Sequence, residues 1–296
     1  MIVLADVFAV GEMLAQPFMR NAFLAGTAIA LASGLVGYFL VVRSQVFTAD
    51  ALSHVTFTGA LAALAFGVDV RIGLFASVIA VSLLLSALGR EGRADDVVVG
   101  SVFVWILGLG VLFLSLFTAS RAASNSTGGV AALFGSIFGL SDSAVRTAVV
   151  VSAMVAVGVV TIARPLLFAS LDEAVARAQG VPVRAIGVGF VLAVGVTAAE
   201  AAQAVGALLL LGLLATPGAA ALRLTARPYR AFVFSAAIAV GCTWVGLVAS
   251  YHVPKLPPSF SIIAALTAAY VVAVVVDRVR VRLRRFDGLP YASPPA

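Results

Sequence analysis

The chain has 296 residues, of which 62% are hydrophobic and 11% charged, against roughly 45–50% and about 25% in soluble domains, and its mean hydropathy is +1.14. A spanning helix uses about 20 apolar residues, so this length holds at most about ten spans and excludes a separate soluble catalytic domain. The net charge of +6 comes from 18 Arg and one Lys set between apolar runs, a pattern of cytoplasmic membrane flanks and not of a nucleic-acid footprint.

In chain order, residues 1–20 mix Asp6, Glu12 and Arg20 with apolar residues and read as a short N-terminal interfacial helix. No basic n-region or small-residue cleavage site precedes the first long apolar run, so a removable signal peptide is not expected. Residues 22–42 form an unbroken apolar run closed by Arg43. Further expected spans are 49–66, 72–88, 97–117, 145–163, 185–201, 204–222, 231–250 and 260–276. The run 49–66 is short and carries Asp50 and His54, and 185–222 is a pair divided only at Ala202 and Gln203. The expected fold is therefore all-α, a polytopic transmembrane helical bundle of 8–9 spans, with a membrane domain over 21–277 and a basic tail over 278–296. Between 118 and 144 a Ser/Thr/Gly/Ala-rich stretch precedes Leu133–Leu140, too short to span, and reads as a re-entrant or interfacial turn.

Arginines set the orientation. The tail carries Arg278, Arg280, Arg282, Arg284 and Arg285. Counting back, Arg223/Arg227/Arg230, Arg164/Arg177/Arg184, Arg90/Arg93 and Arg43 fall on the same side, which is expected to be cytoplasmic. Nine crossings would leave the N-terminus outside.

An ionisable group inside hydrocarbon costs at least about 2.5–3.5 kcal/mol, so each one in a span calls for a reason. Asp50 and His54 stand four apart and stack on one helical face. Carboxylate plus imidazole is an N/O ligand pair suited to Zn²⁺ or Mn²⁺; the plain alternative is a His–Asp hydrogen bond that locks helices. One pair supplies two ligands where a Zn²⁺ site takes four, and a twofold dimer facing its axis would supply them. Glu200 and Gln203 share a face three residues apart and could line such a pathway, or could be interfacial polar residues near a helix end. His252 is expected in the loop after 231–250, as a solvated histidine or an entrance ligand. Asp95 and Asp96 open a helix, where capping is the default role. Cys242 is the only cysteine, so no disulfide or thiolate cluster forms within the chain.

The segment Ser170–Pro182 is a polar loop with its own helical pattern. Ser170 is the candidate N-cap with Glu173 three residues on, and Gly180 followed by Pro182 ends the helix. A short capped helix between spans offers another protein a grip. No G-x-x-x-x-G-K-[ST], H-E-x-x-H or G-x-S-x-G occurs, so the chain is not expected to hydrolyse ATP by a P-loop or to be a membrane protease or hydrolase.

Several segments, in order over roughly 20–277, resemble the membrane permeases of ATP-binding-cassette importers for zinc and manganese. They are Phe39-Leu-Val-Val-Arg43, Asp50-Ala-Leu-Ser-His54, Asp96-Val-Val-Val-Gly100, Leu133-Phe-Gly-Ser-Ile137, Leu171-Asp-Glu-Ala-Val-Ala-Arg-Ala-Gln-Gly180, Gln203-Ala-Val-Gly206 with Ala215-Thr-Pro-Gly-Ala219, and Ser250-Tyr251. The chain departs from the family pattern at Ala49, where glycine is usual, at Ser44, where a second Arg is usual, and at Pro254-Lys255-Leu256-Pro257-Pro258, where an acidic residue commonly precedes P-x-G.

The resemblance implies a permease dimer in the plasma (inner) membrane, not itself an enzyme and holding no bound cofactor. ATP is held only by a separate cytoplasmic ATPase dimer, and an extracellular or periplasmic solute-binding protein delivers Zn²⁺ or Mn²⁺. It associates Asp50 and His54 with the metal pathway, and Ser170, Asp172, Glu173, Arg177 and Gly180 with the coupling helix that docks in the ATPase. Two other readings stay open: a permease for an iron chelate or vitamin, and an ATP-independent proton-coupled carrier using Asp50 and Glu200.

Overall fold

The computed structural model describes residues 13, 15–89, 95–119, 135, 137–206, 210–253 and 255–286. Ten α-helices account for almost all of them. They are α1 (Pro17–Val42), α2 (Val46–Phe66), α3 (Val70–Leu88), α4 (Asp96–Ala119), α5 (Asp142–Leu171), α6 (Glu173–Ala178), α7 (Val183–Val205), α8 (Leu210–Leu224), α9 (Pro228–His252) and α10 (Pro258–Phe286), with a 3₁₀ turn at Ile137–Gly139 before α5. No strand occurs among the described residues. Among the described residues, eight helices are long and apolar enough to cross a membrane, all but α6 and α8.

The sequence-based boundaries hold with three differences. Residues 1–12 and 14 of the expected interfacial segment lie outside the described residues, and from Pro17 the chain is already in α1. The expected turn at 118–144 lies outside them for 120–134 and 136; its described end packs against α1, with Ile137 buried and Phe138 edge-on to Phe18 at 5.6 Å. The division of 185–222 falls four residues later than expected. α7 runs on through Val205, since neither Ala202 nor Gln203 breaks a helix, and the chain turns at Gly206, whose φ of 91° suits glycine. Residues 207–209 of the expected span 204–222 lie outside the described residues, and α8 is described over 15 residues from Leu210.

α1 lies at the centre. It packs on α5, α7, α8 and α9, while α2 packs on α3, α4 and α7, and α10 closes over α8 and α9. Of the most apolar window of α1, 72% is buried, against 17% for the outer helix α4. Water cannot drive helices together in lipid, so close backbone approach has to. Glycine supplies it: a Cβ at Gly34 would lie 2.7 Å from Ala236 Cα of α9, and one at Gly218 of α8 would lie 2.6 Å from the Gly37 carbonyl oxygen of α1. Ser235 Oγ donates to the Gly34 carbonyl at 2.6 Å across the first of these crossings.

Polar contacts fix which helix ends lie together. At one pole Asn21 Nδ2 donates to Asp142 Oδ1 at 2.6 Å, joining the starts of α1 and α5. At the other, Arg43 reaches Ser170 at the end of α5, Arg223 pairs with Asp277 at 3.4 Å, and Arg280 donates to the Leu224 carbonyl at 2.8 Å. Short as it is, α8 thus ends level with the arginine-bearing extension of α10.

Candidate functional site

α2 is polar for a buried helix, carrying Thr48, Asp50, Ser53, His54, Thr56 and Thr58 in its first thirteen residues. Hydroxyls satisfy themselves on the helix's own carbonyls, Ser53 on Asp50 at 2.6 Å and Thr56 on Ser53. Thr58 Oγ1 donates across to the Ile106 carbonyl at 3.3 Å, tying α2 to α4. Thr48, Ala49, Ala51, Leu52, Ser53 and Val55 are buried, whereas Asp50 and His54 are half-buried, with exposed Phe47 one turn before them. The two candidate ligands therefore share the one face of this stretch that its own chain leaves open.

His54 lies edge-on to Phe103 of α4, centroids 5.1 Å apart, and Phe103 also meets Phe47 at 6.1 Å. An aromatic wall thus bounds the histidine on the α4 side and limits its ring rotation. No hydrogen bond or ion pair joins Asp50 to His54 among the described residues. Nor does any group of three or more His, Cys, Asp or Glu stand close enough to hold a metal among the described residues.

Glu200 and Gln203 do not join that pair. Glu200 is 2% exposed and its Oε1 has no hydrogen-bond partner among the described residues. It sits among Ala198, Ala199, Ala201 and Ala202 in the last turns of α7, with Arg71 at the start of α3 as its charged neighbour. It is sealed in packed helix, not interfacial. The surrounding alanines allow that, because they let α7 be buried on every side. Gln203 Nε2 turns back to the Ala199 carbonyl at 3.4 Å.

The Ser170–Pro182 segment forms the expected short helix with one correction. Asp172, not Ser170, caps it, its Oδ1 accepting from Val175 N at 3.0 Å. The reason is that α5 runs on to Leu171, so Ser170 is still inside a helix and its Oγ donates to the Leu166 carbonyl at 2.5 Å. Gly180, at φ 81°, ends the segment as expected. Glu173 and Arg177 pair at 3.0 Å on its surface. Only Ala176 points inward, packing with Ala169 and Val183, while Leu171 and Val175 stand 71% and 43% exposed. α6 is a knob with an apolar tip, carried on the ends of α5 and α7.

Sequence reasoning overlooked Arg43 as anything but a basic flank. It is 5% exposed, Nε donating to Gln45 Oε1 at 3.2 Å, NH1 to Ser170 Oγ at 3.4 Å, and its guanidinium 5.6 Å from the centre of the Phe190 ring of α7. Only its place in the Phe39–Arg43 motif could have marked it. His252 is the last residue of α9, exposed, with Nδ1 2.9 Å from the Val248 carbonyl. Cys242 faces the Ala265 carbonyl at 3.6 Å.

The pattern described as "ABC 3 transport family" matches residues 15–277. The manganese transport system membrane protein MntC of Halalkalibacterium halodurans is 26% identical over 74% of this chain and 74% of its own length. A Haemophilus influenzae protein named "Probable iron transport system membrane protein" is 27% identical over 92% of this chain and 98% of its own. Among solved structures, PsaBC from Streptococcus pneumoniae in complex with Fab has the same fold, with a TM-score of 0.76 at 22% identity over 89% of this chain and 93% of that one.

Proposed function

The chain belongs to the ABC 3 transport family, and from that premise we propose that two copies of it form the membrane pathway of an importer for a divalent transition metal ion, zinc or manganese. The observation that carries the cargo class is the Asp50/His54 face of α2: two ligand groups one turn apart, not bonded to each other, on the open side of an otherwise covered helix stretch. A twofold axis along that face doubles the pair to two carboxylates and two imidazoles, a set that fits first-row divalent ions. Such ligands must hold the ion weakly enough to release it. Relatives named for manganese and for iron support a metal cargo.

The motor lies on other chains. A cytoplasmic ATPase dimer docks on α6 through exposed Val175 and the adjoining Leu171 at the end of α5, with Asp172, Glu173 and Arg177 at the rim and Gly180 setting the turn that follows. The pole that gathers Arg43, Arg223 and Arg280 faces the cytoplasm of the plasma membrane, in keeping with the positive-inside rule. At the opposite pole a solute-binding protein delivers the ion. Residues 21–277 act as one permease domain, and 278–296 as a cytoplasmic tail.

The test is metal uptake by the complete transporter in vesicles. Asp50→Ala and His54→Ala should each abolish ATP-dependent uptake; uptake unchanged by both would remove the ion site from α2. Because relatives are named for iron as well, free Mn²⁺ and Zn²⁺ should be competed against iron chelates: an open ligand pair predicts that free ions compete and chelates do not. Uptake that follows a proton gradient without ATPase would favour a proton-coupled carrier instead.

A further inference from the structure

The docking knob and the ligand pair lie on different helices, α6 and α2, and the buried cation of Arg43 stands between them. We propose that Arg43 is the positioning residue that couples the two, holding the first turn of α2, and so Asp50 and His54, to the end of α5 that carries α6. The inference rests on the import reading above and adds a residue to it.

Three contacts of the Arg43 guanidinium make the link. The first goes to the entrance of α2: Gln45 is the residue before that helix, 4% exposed, and takes Nε of Arg43 on its side-chain oxygen at 3.2 Å. Its carbonyl in turn accepts from Ala49 N at 3.2 Å, the residue next to Asp50. The second goes to Ser170, the penultimate residue of α5 and two before the Asp172 cap of α6. The third is the face of Phe190, fixed in the core of α7 at 0% exposure. Guanidinium over an aromatic ring is attracted by the ring's quadrupole, more so away from water.

The corner itself resists bending. Arg43 N donates to the Phe39 carbonyl and Gln45 N to the Leu40 carbonyl, both at 2.9 Å, and between them Ser44 is held at φ 53°, a region that non-glycine residues seldom occupy. A corner this tightly bonded moves as one piece. A force on α6 that shifts the end of α5 therefore shifts Ser170, then Arg43, then the first turn of α2. The planar, multi-donor guanidinium suits this task and a lysine ammonium does not, because one amine cannot hold Gln45, Ser170 and the Phe190 face in a fixed fork.

The experiment uses the whole transporter, permease with its ATPase and binding protein, in proteoliposomes. Metal uptake and ATP hydrolysis are measured on the same vesicles for wild type, Arg43→Ala, Arg43→Lys and Ser170→Ala. The expected result is that ions carried per ATP fall roughly three- to thirtyfold in Arg43→Ala, the span that coupling residues typically contribute, with a smaller fall in Ser170→Ala and Arg43→Lys between alanine and wild type. A purely structural role lowers the amount of assembled protein, and so both rates together, leaving the ratio unchanged; that result overturns the proposal. If Arg43→Ala does not assemble, Ser170→Ala with Phe190→Leu carries the same test. Should wild type show no ATP-dependent metal uptake, the import reading fails, which is a different outcome from an unchanged ratio.

Discussion

At the scale of single residues, three ionisable side chains in the spans meet two different environments. Asp50 and His54 keep one open side and, among the described residues, their side chains bond to neither each other nor a neighbour; in the proposed import role their lone pairs serve the ion. Loss of one ligand from a site with so few should cost at least about tenfold in apparent metal affinity, and a competition titration of the transporter with Mn²⁺ against Asp50→Asn checks it. Glu200 has no such opening. Its sealed place among alanines predicts that Glu200→Gln keeps uptake far better than Asp50→Asn does, because the amide fills the same volume without facing the pathway. Equal losses in the two variants, measured in the same vesicles, would put Glu200 on the route of the ion. Neither environment could be read from the sequence, where both carboxylates sit in apolar runs within spans. What separates them is which neighbours happen to cover them.

Among elements, crossings and corners decide most. α1 meets α8 at Gly37 and Gly218, where carbonyl and Cα lie too close for a methyl group. Backbone cannot swing aside as a flexible side chain can, so Gly218→Val should destabilise the protein by about 1–3 kcal/mol. Thermal unfolding in detergent checks it, with Gly158→Ala as control, since a Cβ there meets open space. Gly180 makes the opposite case: no atom lies within 4 Å of an added Cβ, yet its φ of 81° penalises any side chain. Gly180→Ala should cost about 1–2 kcal/mol locally and weaken ATPase docking on α6 while leaving metal binding intact; pull-down of the ATPase and metal titration separate the two. The capped knob was legible in the sequence because Gly180 and Pro182 stop helices wherever they stand. Its cap was misplaced, because α5 continues through Leu171 and takes Ser170 with it. That extension depends on Pro165 being tolerated inside α5, a choice set by packing, not by propensity.

For the molecule as a whole, eight long helices and the shorter α8 bring the arginine-bearing ends of α1, α8 and α10 to one pole and the starts of α1 and α5 to the other. In a Cys242→Ala background, a single cysteine placed at exposed Val279 should react with an impermeant maleimide only from the cytoplasmic side, and one at exposed Val68 only from outside. Labelling of Val279Cys and Val68Cys from the same side would overturn the arrangement of poles.

Composition and run length by themselves determined that this is a bundle of membrane helices, because hydrocarbon admits no other way for an open chain to satisfy its backbone. They also fixed nearly every span, the short helix before Pro182, and the shared face of Asp50 and His54, since a spacing of four on a helix is a face whatever surrounds it. The tertiary structure alone decided which of those faces stays open. Burial is a property of neighbours distant in the chain: the helices packed on α7 close over Glu200, and Ser170 with Phe190 turns Arg43 from a flanking charge into a buried tie.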